Sequence, residues 1–399
     1  MSVGERLRVL FVAPFPPRLA GTHGGAKVVG QLVARTAERH TAALLYLRYP
    51  GEPDVEDALR ARLDAVEAID RPPAGRASVS HWLRAARWRV GLLTGRPRAV
   101  TELTFPTATS RLRELAAAWR PDVVRLEYPV AGAYLPALAG SGAALVLADY
   151  DALLETAGSS ALDVRAWRRF RRRLLAQVDA VVVATERDSE VLLELAAGTE
   201  VVSVPFGADV DAPALDPAGT DERTVLFVGN MNHEPNRDSA RFLASEVMPR
   251  VRERHPEAVL RLVGERTSEL TGADGVEAAG RVPDVAPYLD AAAVVVAPAR
   301  IGAGMRVKVQ DALVAGKALV ASPLAVEGLA LEPGRHALVV EPDEFADAVS
   351  ALLDDRSRRA ELGRNARAWA VENLGWERAL DAYAELYARL VSRGGRARS

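Results

Sequence analysis

Residues Ala291–Ser322 read AAAVVVAPARIGAGMRVKVQDALVAGKALVAS, and the fold turns on this stretch. The apolar run Ala292–Ala297 is short, unbroken and valine-rich, the pattern of a strand buried on both faces of a parallel sheet. Pro298 stops it, and Gly302 and Gly304 give the loop a backbone that side chains would restrict. A helix is expected from about Met305, closed by Gly316 just past its C-terminus, with Leu319–Ala321 as the next strand. Such a unit aims the free N–H groups of a helix's first turn into the crevice at the strand ends, an anion site. Arg306 and Lys308 add positive charge to the loop Gly302-Ala303-Gly304-Met305. Asp311 follows Lys308 on the same helix face and offers a carboxylate to ribose hydroxyls. Cradle, cations and acceptor suit a nucleoside diphosphate; a charged surface face beside an ordinary βα turn is the other reading.

Outward from that stretch, the 399 residues are enough for two cores. Lys and Arg number 51 against 53 Asp and Glu, so overall charge gives no drive toward nucleic acid. With 0 cysteines there is no disulfide and no thiolate metal site. His23, His40, His81, His233, His255 and His336 have no ligand spacing, so no metal centre is expected. The start MSVGERLRVLFVAPF is too short in apolar residues for a signal peptide and reads as a first strand. No run of about 18 apolar residues occurs, so no spanning helix and a cytoplasmic location are expected.

Along the chain, Arg8–Ala13 is a buried-type strand, the loop 14–25 ends in Gly24-Gly25, a helix covers 26–39, and Ala42–Leu47 is a strand. Gly24 and Gly25 can approach a phosphate or acceptor through backbone N–H groups, or simply form a tight turn. The spacing is not GxGxxG, so a dinucleotide site is not indicated. Residues 52–120 read as mainly helical. Strands at 122–126, 144–148, 180–184 and 201–204 follow, with a basic helix over 164–177. Residues 206–223 read as a linker. A second alternating run holds strands at 224–228 (tipped by Gly229-Asn230), 259–263, 276 onward, 292–297, 318–321 and 337–340. Helices are expected at 342–355, 358–372 and 376–391. The fold class is therefore α/β, two Rossmann-like domains facing a cleft.

The order and spacing of RVLFVAPFPP…GG, PDVV, DAVVVATERDSEVL, VPFGADVD, TVLFVGNMNHEPNRDSARFL, VVVAPARIGAGMRVKVQDALVAGKALVAS and LLDDRSRRAELGRNAR…W resemble the GT-B glycosyltransferases, specifically the large retaining group often called family 4. The resemblance implies an acceptor-binding domain at 1–206, a linker at 207–223, a nucleotide-sugar domain at 224–375, and a helix at 376–399 returning to the first domain. It implies a hexosyltransferase-type enzyme moving a sugar from a nucleoside diphosphate to a sugar, lipid-linked or small-molecule acceptor, with retention and without metal or other cofactor. Of its two signature glutamates, the second falls on Asp311 and the first on Ala303, which has no carboxylate. The Arg and Lys that usually hold the diphosphate fall on Asn230 and Asn236, so Arg306 and Lys308 are expected to compensate. Loss of the first glutamate leaves a catalytically inactive binding partner as the alternative. An epimerase of the same shape is a third reading.

Other candidates follow. Glu127, at a strand end where the resemblance implies histidine, either orients the donor sugar or accepts the acceptor proton, or else pairs with Arg125 or another arginine. Asp149-Tyr150-Asp151 and Asp209-Val210-Asp211 spell DxD, but a three-residue match is too cheap to assign metal. Asp151 is kept for acceptor contact. The stretches 81–98 and 163–173 join arginines to Trp82, Trp88, Trp167 and Phe170, composition that suits an anionic membrane surface, a lipid-phosphate acceptor or solvated helix faces. No recognition motif accompanies them, so nucleic acid is not an expected partner.

Overall fold

The computed structural model describes residues 6–20, 24–72, 88–150, 160–195, 198–270, 272–302 and 307–396, the side chains of 222 and 394–396 excepted. The first sheet holds β1 (Arg8–Ala13), β2 (Thr41–Arg48), β3 (Ala65–Asp70), β4 (Val123–Glu127), β5 (Ala144–Ala148), β6 (Ala180–Val183) and β7 (Glu200–Ser203). Its order is β3-β2-β1-β4-β5-β6-β7, with every pairing parallel. The second holds β8 (Asp221–Val228), β9 (Val259–Val263), β10 (Val276–Gly280), β11 (Ala292–Ala297), β12 (Leu319–Ala321) and β13 (Leu338–Val339). It runs β10-β9-β8-β11-β12-β13, again all parallel. The helices that position the site are α1 (Gly24–Arg39), α2 (Pro106–Trp119), α3 (Ala161–Leu175), α4 (Glu234–Phe242), α5 (Val307–Ala315), α6 (Arg356–Asn373) and α7 (Trp376–Arg396).

Both sheets are covered on both faces, which is why their strands read as continuous apolar runs. In β1, Val9, Phe11 and Ala13 join the cluster of α1 and α7, while Leu10 and Val12 join that of α2 and α3. A one-residue slip would exchange the two sets, and each buried Val, Leu or Phe is worth about 1.5–3 kcal/mol, so register is strongly fixed. The second sheet repeats the device: Val225 and Phe227 of β8 face one cluster, and Leu226 faces the other with Val309 and Leu313 of α5.

Strand order reverses between β1 and β4, and again between β8 and β11. Crevices at such reversals bind ligands in open α/β sheets. The helix α7 returns to the first lobe, where Trp376, Leu380, Tyr383, Leu386 and Tyr387 are buried in its core.

One sequence expectation is corrected. The mainly helical segment 52–120 contains β3, which pairs with β2 at the sheet edge. Its sequence AVEAID lacks an apolar run because only Ile69 is fully buried, an edge strand having one face half in water. The second lobe's opening strand also starts earlier than read, at Asp221.

Candidate functional site

At the tip of β8, Gly229 lets α4 come close. A Cβ on it would stand 2.9 Å from Asn236 Cγ, so a larger residue would push that side chain away. Asn236 donates from Nδ2 to the Asn230 carbonyl at 3.0 Å, and its Oδ1 accepts from Lys308 Nζ at 2.5 Å. The same ammonium lies 4.4 Å from the centroid of buried Phe227, a cation–π contact. Asn230 is held in turn by Glu265, to which it donates at 3.2 Å. After β11, Gly302 adopts φ +101, a left-handed value, and a Cβ there would meet Pro235 Cγ at 2.8 Å. The loop is thereby laid over the first turn of α4. Gly316, with φ +72, closes α5 as its sequence position implies.

The first turn of α5 faces the other lobe. A Cβ on Gly24 would stand 3.3 Å from Val307 Cβ, and Val307 packs against the first lobe's core. Gly24 and Gly25 open α1, so the first turns of α1 and α5 meet across the cleft, each the positive end of its helix dipole. Lys27, in that same turn of α1, reaches Asp311 of α5, with Nζ to Oδ1 2.6 Å. A further ion pair, Arg187 Nη1 to Glu327 Oε2 at 3.1 Å, joins the lobes along the cleft.

Glu127 occupies a different environment. It and Arg125 are both 0% exposed, with Arg125 Nε 2.5 Å from Glu127 Oε1. The other carboxylate oxygen accepts from the Tyr150 hydroxyl at 3.0 Å. Arg125 also donates to the Tyr150 hydroxyl, to Tyr387 at 3.1 Å and to Tyr383 at 3.3 Å, with its guanidinium 4.3 Å from the Tyr383 ring centroid. Burial works against the charge on Arg125, but Glu127 and the three tyrosines outweigh it and hold its pKa well above the usual value. Burial likewise pushes the Tyr150 hydroxyl well up, with Arg125 opposing. Glu127 thus sits in a closed ion pair that pins α7 to β4, not on the cleft wall, and the ground for its catalytic assignment is removed.

The described aspartates of the two DxD stretches, Asp149, Asp209 and Asp211, each lie against an arginine. Asp149 is buried against Arg171, 2.8 Å from Nε, and Asp209 in the interlobe segment lies 3.3 Å from Arg35 of α1. Asp151, Ala303, Gly304, Met305 and Arg306 lie outside the described residues. Two residues were missed by the sequence reading. Lys27 stands two positions after Gly25, a cation in the first turn behind a glycine pair, and that placement was its available signal. Tyr128, at the tip of β4, has φ 66, uncommon for a side-chain-bearing residue, and its ring lies edge-on to Phe15 and Tyr150 at 5.3 and 5.4 Å. No sequence pattern marks it.

Comparison with known proteins agrees with the two-lobed fold. Residues 222–355 match the family described as Glycosyl transferases group 1. A phosphatidyl-myo-inositol mannosyltransferase of Mycolicibacterium smegmatis is 30% identical over 210 residues, 48% of this chain and 52% of that one. The chain thus spans about half the length of that relative. A protein of the same name from Mycobacterium tuberculosis is 28% identical over 277 residues, 64% of this chain and 71% of its own. Among solved structures, sucrose-phosphate synthase from Thermosynechococcus elongatus has a TM-score of 0.69 at 17% identity, covering 97% of this chain and 100% of that chain. HepE of Anabaena, solved with UDP and glucose, has a TM-score of 0.67 at 13% identity, covering 96% of this chain and 100% of that chain. The chain therefore has the GT-B glycosyltransferase fold, its second lobe matching the Glycosyl transferases group 1 family.

Proposed function

We propose that the protein is a nucleotide-sugar-dependent glycosyltransferase of hexosyl type, with donor in the second lobe and a hydroxyl acceptor in the first. The supporting observation is Lys308 Nζ at 2.5 Å from Asn236 Oδ1, where the resemblance implies a diphosphate-holding lysine. An ammonium from α5 is delivered to the place its usual bearer has vacated. As the anomeric C–O bond breaks, negative charge grows on the departing diphosphate. Lys308, Arg306 and the N–H groups of the first turn of α5 are assigned to stabilise it there, in a site preorganised before the reaction. Asp311 is assigned to the ribose. Closure of the lobes excludes water and limits donor hydrolysis. Retention and independence from metal are part of this reading, carried by the family resemblance. The mycobacterial relatives are named for transfer to phosphatidyl-myo-inositol, which favours a lipid-linked acceptor here.

The test is a screen of UDP-, GDP- and dTDP-linked sugars by mass spectrometry, with and without lipid acceptors. Release of one nucleoside diphosphate by wild type, lost in Lys308→Ala, supports the enzyme. Binding of a nucleotide without turnover under any acceptor selects the inactive-partner reading, which Ala303 in place of the signature glutamate favours. Conversion of the donor without acceptor selects an epimerase.

We also infer a peripheral contact with anionic membrane. It is supported by one face of the first lobe, where residues 94–98, just after the helical segment 88–93, are bonded to α3. Arg173 donates to the Thr94 carbonyl at 2.9 Å, and Asp163 accepts from the Arg98 backbone at 3.2 Å. Val90, Leu93 and Leu162 are 60%, 80% and 67% exposed there, beside exposed Arg89, Arg165, Arg168, Arg169 and Arg172. Arginine around exposed apolar side chains suits anionic headgroups over acyl chains. No helix among the described residues is long and apolar enough to cross a membrane.

A further inference from the structure

Lys27 and Asp311 are 284 residues apart and meet across the cleft at 2.6 Å. Their side chains are 23% and 28% exposed, so a ligand entering the cleft reaches both. The first turns of α1 and α5 also approach closely at Gly24 and Val307. The bridge therefore lies beside the two facing helix N-termini, where an anion is favoured from both sides.

The charges around that anion site are uneven. Asn230 and Asn236 carry none, and the ammonium of Lys308 is engaged by Asn236 and Phe227. A diphosphate brings more than one negative charge. Among the described residues, Lys27 is a nearby cation of the opposite lobe, and without ligand its charge is neutralised by the carboxylate assigned to the ribose. A ribose diol uses both oxygens of a carboxylate, so it competes with an ammonium already bound to one of them. Once displaced, a lysine with a flexible stem has phosphate oxygens as its nearest alternative partners.

We propose that Lys27 is a further donor-binding residue that changes partners: ribose takes Asp311, and the released ammonium turns to the diphosphate. This rests on the donor-site reading above. It adds a cation of the first lobe to Lys308 and Arg306, those assigned in the second, so donor occupancy and lobe closure reinforce each other. In the empty protein the same residue holds the lobes together through Asp311.

The experiment compares binding of uridine, guanosine and thymidine with that of their diphosphates, by calorimetry and, for the weak nucleosides, saturation-transfer NMR. Wild type, Lys27→Met and Asp311→Asn are each measured as full-length chains after circular dichroism shows them folded. Lys27→Met is expected to bind the preferred nucleoside at least as tightly as wild type, its Asp311 being free. Its diphosphate affinity should fall about tenfold, the loss of a hydrogen bond to a charged group. Lys27→Arg should retain most of the diphosphate affinity. If Lys27→Met leaves the diphosphate-to-nucleoside affinity ratio unchanged, Lys27 does not reach phosphate and the proposal is overturned, with the donor site intact. If Asp311→Asn leaves nucleoside affinity unchanged, or no diphosphate binds wild type, the donor-site reading itself falls and this proposal with it.

Discussion

Lys308 and Asn236 meet at 2.5 Å although they sit on different helices, 72 residues apart. The lysine approaches from α5 and the asparagine from α4, so the ammonium occupies a place that a residue at position 236 could itself supply. Lys308→Ala should therefore raise the barrier by about 2.7–4 kcal/mol, the effect of deleting one preorganised donor. Adding Asn236→Lys to that variant should recover a substantial part of the rate, since the charge returns from the other helix. Steady-state turnover of both variants checks this. Absence of recovery would mean that the ammonium acts from some other place.

A buried pair behaves differently. Removing Glu127 leaves Arg125 charged, fully enclosed and facing three tyrosine hydroxyls. Glu127→Ala should destabilise the fold by about 3–5 kcal/mol. Glu127→Gln should cost less, keeping a hydrogen-bond partner for the guanidinium. Urea denaturation gives the stabilities, and turnover normalised to folded protein gives the activity. A Gln variant of wild-type stability with turnover abolished would return Glu127 to the reaction.

The two sheets were legible in the sequence because doubly covered strands such as Ala292–Ala297 must be apolar throughout. The glycine loop before α5 was legible for a similar reason, since Gly302 takes a left-handed φ and lies under Pro235. β3 was not, because an edge strand needs one buried residue and AVEAID supplies only Ile69. Pairings between remote residues were not legible at all. Nothing near Arg125 announces Tyr383 and Tyr387, and nothing near Lys27 announces Asp311. Those contacts depend on how two lobes dock, a relation that local periodicity does not encode. The residues on which the cleft's charge depends are therefore the ones the pattern left open.

Gly207 marks where the chain leaves the first lobe. A Cβ there would fall 2.5 Å from the Trp376 ring and 2.6 Å from its Cα, with backbone on one side unable to give way. Trp376 is itself fixed by an Nε1 hydrogen bond to Gln31 at 3.1 Å, and Ala208 donates to the Leu374 carbonyl at 2.7 Å. Gly207→Ala should cost about 1–3 kcal/mol by overpacking. Because both chain crossings pass this point, the domain angle should shift as well. Small-angle scattering with and without nucleotide measures that, and an unchanged profile with unchanged stability would show that the close approach of Gly207 to Trp376 constrains neither.

Lys317 links stability to pH. It is fully buried, donating to the carbonyls of Asp216 and Asp290, and burial brings its pKa down to about 8 despite the attraction of those two aspartates. An unfolded lysine titrates near 10.4. Between the two values the unfolded chain binds more protons, so this group makes stability rise with pH from about 8 to about 10. The slope from one such group is at most about 1.4 kcal/mol per pH unit. Urea midpoints across that window should climb in wild type and lose this component in Lys317→Met. The two carbonyls keep the Gly219 and Thr220 N–H donors, and the hydrogen bonds lost with the amine add a constant offset that leaves the slope intact. Equal slopes in both proteins would show that the buried amine keeps its ordinary affinity for protons.

The basic face of the first lobe gives a prediction separable from catalysis. Arg165, Arg168, Arg169 and Arg172 are exposed on α3, and replacing them disrupts no ion pair among the described residues. Each arginine near an anionic bilayer contributes about 1 kcal/mol. Changing all four to glutamine should then weaken co-sedimentation with phosphatidylserine vesicles by about three orders of magnitude, with thermal stability unchanged. Raising salt should weaken the wild type in the same way, since the interaction is screened over about 10 Å at 0.1 M. Leu93→Asp and Leu162→Asp should reduce binding further at any salt, because they remove the apolar component. If the arginine variant binds vesicles as wild type does, the contact is not electrostatic and this face is a solvated surface.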